Sequence, residues 1–315
     1  MTYYEIMQRA GKRIHPKLYY YDSTNTKVKI DRDDIESIKL SFNAPLTGSV
    51  STELTAELKV ELPDTAIYFQ NTATYNGTNA TKTYGPFYFK ETPSFNADSK
   101  TYEHTMYDGF VKAMVDYHPI TITYPTTVLA FFQALCSACG YTTNVTSLPN
   151  GSRSITMDIY NGINYTYRDV FDDIANATGT LFRCNNGVIE KCPLGTTEIT
   201  VDDDLLKNQN IELGDHFGPI NSIVLSRSGE SDNIYKRDET LTSWNEYKIS
   251  DNQLMNDNNR SDYLDELYDI LYGIEYDIFD LELVGYGGFN PLDKVTITTN
   301  NASYNTYVFN NEIII

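Results

Sequence analysis

The sequence predicts a mainly β protein with an α+β module at its centre: two small β-barrels flank a duplicated α/β unit, and a helix interrupts the second barrel. Three observations predict it. Tyrosine is abundant at 26 residues, beside 14 Phe and one Trp; with frequent Thr, Asn and Ile this favours half-buried pleated strands and Asn-bearing turns over long helices. A helix-period segment occurs twice in succession, and short β runs stand on both sides of the pair. At 315 residues the chain has room for two or three domains and for a core that needs no disulfide or metal staple.

Residues 1–116 read as the first barrel. Strand runs fall at 17–21, 27–30, 35–42, 53–62, 87–91 and 101–106, and Leu54-Thr-Ala-Glu-Leu-Lys-Val-Glu-Leu alternates apolar with polar residues as a half-buried strand should. The polar stretch 71–83, with Gly77 and repeated Asn and Thr, reads as an exposed loop.

Residues 117–195 read as the α/β module with an internal repeat. Sliding Thr127 onto Thr166 brings Phe131 onto Val170, Phe132 onto Phe171, Leu135 onto Ile174, Cys136 onto Ala175 and Gly140 onto Gly179. Each copy opens on a Thr suited to cap a helix, carries apolar residues at i, i+3, i+4 and i+7, and stops at a Gly suited to a left-handed cap. Asp169 makes the second copy a variant of the capping box. A hairpin follows, with its turn at Asn186-Gly187.

Residues 196–315 read as the second barrel. Its strands are expected at Ile211-Glu-Leu, around Ile220 to Arg227, at Glu246-Tyr-Lys-Ile, and at 279–284, 294–299 and 306–315. A helix at about 258–273 is inserted, with Leu264, Leu267, Ile270 and Leu271 on one face and Gly273 at its stop. The run Asn311-Glu-Ile-Ile-Ile reads as an apolar strand that pairs with another strand or leads into further chain.

A formal charge of −19 argues against general affinity for a phosphate backbone, because nucleic-acid binders display a basic patch. Such a surface suits a conduit that DNA passes through without sticking. There is no apolar run near the ~20 residues of a membrane span. No membrane contact is expected, and synthesis in the cytosol is expected.

Candidate chemistry is sparse. Cys136, Cys139, Cys184 and Cys192 invite a zinc reading, since four thiolates can form a tetrahedral site. The first pair lies at the end of a helix and the second spans a hairpin, so buried free thiols are the expected state. His15, His104, His118 and His216 fall in no metal or triad motif. Acidic clusters at 31–34, 202–204 and 251–262 lack a calcium-loop pattern and read as solvated loops and helix starts. Tyr19, Tyr20, Tyr21, Tyr84, Tyr88 and Tyr286 suit half-buried amphipathic strand positions, the favoured reading, or a carbohydrate platform or protein interface. No catalytic residue, cofactor or metal is assigned, and the chain is not read as an enzyme.

Several passages resemble a known family. They are 95–110 with its Tyr107-Asp108 corner, 125–140 ending Leu-Cys-Ser-Ala-Cys-Gly, 166–179, Gly218-Pro-Ile-Asn-Ser-Ile-Val-Leu-Ser-Arg, and Tyr247-Lys-Ile-Ser-Asp-Asn-Gln-Leu-Met, where Gln253 replaces the usual Pro. Together they resemble the N-terminal hub region of siphophage Tal proteins, which is similar to the baseplate hub of contractile phages and the spike base of type VI secretion. The resemblance implies a virion tail-tip subunit: a homotrimer whose six barrels form a pseudo-hexameric ring gating the DNA channel, with DNA present only in transit. Implied partners are the distal tail protein ring, the C-terminus of the tape-measure protein, and tail fibre or receptor-binding proteins. The alternatives are a carbohydrate-binding adsorption module and a cell-wall hydrolase.

Overall fold

The computed structural model describes residues 1–7, 9, 12–195, 197–202, 212–227, 233–255, 259–280, 283, 288–298 and 302–314. A short helix, α1 (Tyr3–Met7), precedes β1 (Arg13–Tyr21), β2 (Lys27–Lys29), β3 (Ile35–Asn43), β4 (Gly48–Ser49), β5 (Ser51–Leu58), β6 (Ile67–Tyr75), β7 (Thr78–Phe89), β8 (Ser94–Asn96) and β9 (Thr101–Tyr107). All these strands except β4 join one antiparallel sheet.

Residues 71–83 are not a loop. They lie in the β6–β7 hairpin, whose turn is Asn76 and Gly77, both at left-handed φ (48° and 77°). Such an Asn-Gly pair matches the twist of the flanking strands. Inward positions such as Phe69, Asn71 and Ala73 are buried. Outward, Gln70 donates to Thr83 at 3.3 Å, Thr72 meets Thr81 at 3.0 Å and Thr74 donates to Asn79 at 2.7 Å. The polar residues that suggested a loop form a cross-strand ladder.

The module contains β10 (Thr126–Thr127), α2 (Val128–Ala138), β11 (Thr142–Thr143), β12 (Ser154–Ile155), α3 (Tyr167–Ala177), β13 (Leu181–Asn185) and β14 (Val188–Lys191). The repeat is realised at its caps. Thr127 accepts from the Ala130 amide, while Thr166 and Asp169 form a full capping box. Gly140 and Gly179 take φ of 73° and 58° after the two helices. Beyond them the amides of Tyr141 and Thr180 reach back to the carbonyls of Cys136 and Ala175 at 2.8 and 2.9 Å, closing the last turn as a Schellman-type cap does. The hairpin turns at Asn186 and Gly187, and β4 pairs in parallel with β13.

The remaining elements are β15 (Glu198–Asp202), β16 (Glu212–Phe217), β17 (Ser222–Ser226), β18 (Ile234–Arg237), β19 (Glu246–Ser250), α4 (Arg260–Leu271), β20 (Tyr276–Asp280), β21 (Lys294–Thr298), β22 (Ser303–Tyr307) and β23 (Asn310–Ile314). Small sheets form from β15, β21 and β22, from β16 and β20, and from β17 to β19. In α4, Leu264, Leu267 and Leu271 are buried as expected, but Ile270 turns outward and Tyr263 and Arg260 take the inner face. The strand β23 leaves this region and pairs with β3.

The first sheet therefore runs β2-β1-β6-β7-β9-β5-β3-β23, with β8 beside β9, and its two ends do not meet. No closed barrel exists among the described residues, in contrast to the two barrels expected. At one end β2 is only three residues long, and the adjoining β1 carries Pro16, which has no N–H to extend a ladder. One core fills the first sheet, around Leu18, Leu40, Leu54, Phe69, Phe87 and Met106. A second joins the module to α4 and β17 through Phe132, Phe171, Phe182, Ile223, Tyr263 and Leu267. A third gathers α1 with β15 and β21.

Candidate functional site

The sequence candidates disperse. Cys136 belongs to the core that joins the module to α4, with the partly exposed Cys139 and Cys184 packed against it, whereas Cys192 lies in the core around α1. Burial pushes the thiols of Cys139, Cys184 and Cys192 up to about 12, and that of Cys136 up as well. A thiol held protonated is a poor metal ligand and a poor nucleophile. Among the described residues no group of His, Cys, Asp and Glu is arranged to hold a metal.

His104 is fully buried, with Nε2 3.2 Å from the Val60 carbonyl, and burial lowers its pKa. His216 is exposed and sits 2.9 Å from Asp277. His15 lies on β1 with its side chain outward, and the His118 carbonyl accepts from the Tyr167 hydroxyl at 3.2 Å. Tyr19 stacks on Tyr68 at 5.1 Å, Tyr21 meets both edge-on, and the Lys27 ammonium covers the Tyr19 ring at 3.4 Å. Within the stack Tyr19 is only 5% exposed, whereas Tyr21 is 40% exposed. Tyr286, Asp203, Asp204 and Asp257 fall outside the described residues.

What the fold does assemble is a polar joint around α3. This helix faces the β3–β5 connection, which carries β4, on one side and the β19–α4 segment on the other. Toward β4 and its flanks, Asp172 accepts from the Ser49 hydroxyl at 2.5 Å, Arg168 donates to the carbonyls of Ser49 and Val50 at 3.2 and 3.1 Å, and Asn176 accepts from Thr47 at 2.6 Å. The Thr47 hydroxyl also meets Tyr247 of β19 at 2.9 Å. The Tyr107-Asp108 corner closes the same region. Asp108 is buried, accepts from the amides of Thr52 and Phe110 at 2.7 and 2.9 Å, and lies near Arg168, whose guanidinium covers the Phe110 ring at 4.8 Å.

Toward β19 and α4, Asp173 is the central group. Its carboxylate accepts from the Gln253 amide at 3.1 Å, and its carbonyl accepts from the Asn252 side chain at 2.7 Å. Gln253 stands where the resembled family has Pro, and the bond uses the N–H that a Pro would lack. Burial pushes Asp173 up to about 7, against the lowering effect of the Gln253 amide, with Tyr160, Asp172 and Asp169 nearby. An acidic residue at the apolar period of α3, between Val170 and Ile174, was the available sequence signal for it.

A second missed group is Lys82. It points inward from β7 beside a cavity of about 270 Å³ between the first sheet, the β13–β14 hairpin and residues 289–291. Its ammonium donates to the carbonyls of Gly288 and Phe289 at 3.0 and 3.3 Å and to Asn290 at 3.0 Å. Burial lowers it to about 8, partly offset by Asp293. Both buried groups tie distant parts of the chain together.

No family model matches the sequence, and no curated protein matches it. The structure is similar to solved phage tail proteins. The 43 kDa tail protein of prophage MuSo2 from Shewanella oneidensis is 11% identical, with 95% of this chain and 93% of that one covered and a TM-score of 0.53. For a tail protein from Neisseria meningitidis the values are 11%, 97%, 93% and 0.50. The prophage tail protein gp18 from Listeria monocytogenes gives 12%, 95%, 90% and 0.52. No helix among the described residues is long and apolar enough to cross a membrane.

Proposed function

We propose, from a phage-tail fold that spans nearly the whole chain, that this protein is the structural hub of a tail tip or baseplate and resides in the virion tail. The observation that carries the reading is reciprocal coverage: three tail proteins share the fold over at least 90% of both chains. In this reading the hub is a homotrimer forming a pseudo-hexameric ring, joins the distal tail ring to the tip or fibre, and gates the DNA channel with DNA only in transit. Its partners are the distal tail protein, the C-terminus of the tape-measure protein, and fibre or receptor-binding proteins. It works in three parts, 1–116, 117–195 and 196–315, and its buried thiols serve packing. The joint around α3 supports a load-transmitting role, because it fixes three distant segments to one helix through satisfied polar contacts.

Light scattering behind size exclusion tests this, with the chain alone and with the distal tail protein added. The expected mass is three times 35.8 kDa, alone or on adding the partner. A monomer that ignores the partner would sink the hub reading and favour a glycan-binding adsorption module.

A further inference from the structure

The first sheet is electrically two-sided. Inward side chains of β1, β3, β5, β6, β7, β9 and β23 share one core, so the sheet wraps around it and the outer faces of its two halves look away from each other. On β1, β2, β6 and β7 the outward positions hold Arg13, Lys17, Lys27 and Lys29 among Tyr, Thr, Gln and Asn, with no carboxylate. Lys17, Lys27 and Lys29 are close enough to repel one another. On β5, β9 and β23 the outward positions hold Glu53, Glu57, Glu103 and Glu312. The outward cation of that half, Lys39 on β3, is already bonded to Glu312 at 2.6 Å.

In a chain of net charge −19, two copies repel each other over most of their surface. A carboxylate-free face with four cations is where a second acidic copy can be received. We propose that the cationic outer face of the β2-β1-β6-β7 half seats on the glutamate face of the β9-β5-β3-β23 half of a second copy of this chain. The contact is heterologous, since different surfaces meet, and a heterologous contact closes into a ring when its rotation allows. The inference rests on the ring reading above and names the two surfaces that such a ring joins. Polar complementarity of this kind fixes register and partner choice.

The test is self-association by analytical ultracentrifugation of the full chain, with thermal melting as the check on folding. K27E/K29E reverses one face and E53K/E103K the other; the fourfold variant reverses both. Each pair alone is expected to weaken association by about tenfold or more, and the fourfold variant to restore it, with the wild type weakening as salt rises. Wild-type association in both folded pair variants would overturn the inference while leaving the ring reading intact. A monomeric wild type at every salt concentration, with or without the distal tail protein, would overturn both. Retention of duplex DNA that K27E/K29E abolishes, with self-association unmoved, would give the face to nucleic acid and also overturn the inference.

Discussion

Asp173 shows how one buried carboxyl can set the pH response of a joint. Its pKa rises from 3.8 to about 7 on folding, so the folded chain holds a proton that the unfolded chain has released. Its contribution to stability is therefore fully present below about 4 and is lost as pH rises toward about 7. Asp173→Asn retains an acceptor for the Gln253 amide and cannot titrate. Urea unfolding across that window is expected to show a flatter pH profile for the variant, the difference being on the order of 4 kcal/mol. An unchanged slope would mean that Asp173 is ionised throughout. Lys82 is the second case. Lys82→Ala removes the donor to three acceptors around Gly288 and Asn290 and is expected to cost roughly 1–3 kcal/mol of unfolding free energy at neutral pH. Asp173 had a signal in the sequence, an acid at the apolar period of α3, whereas Lys82 had none, because a charge on a strand is recognised as inward only once the inward face is known. The four cysteines divide between two cores, Cys136 and Cys192 buried and Cys139 and Cys184 partly buried.

At the scale of elements, the duplicated helices were the most readable part of the chain, because cap, period and stop all agree locally. Thr127 and Thr166 cap their helices, yet only Thr166 has the reciprocal Asp169 contact. Thr166→Ala is therefore expected to lower the melting free energy by about 1–2 kcal/mol and Thr127→Ala by about 1, as read by thermal unfolding of each variant. Equal losses would show that the Asp169 contact adds nothing. The β6–β7 hairpin was the least readable element. Its outward Gln, Thr and Asn residues imitate loop composition, although Asn76-Gly77 and the inward Phe69 and Ala73 marked a hairpin. The helix α4 was found at its expected place, but its buried face was read one position off at Ile270, because Tyr263 and Arg260 fill the inner side instead.

At the scale of the molecule, the order of β region, paired α/β units and β region with an inserted helix was legible, since each change of periodicity is visible along the chain. Closure was not. Whether a set of strands shuts into a barrel depends on which edges meet, and β23 crosses from the far end of the sequence to pair with β3. That pairing has a consequence for biogenesis. Ile313 stands opposite Leu40, so that edge of β3 emerges from the ribosome about 270 residues ahead of the strand that covers it. A prematurely terminated product would keep that edge bare and be prone to sticking or degradation.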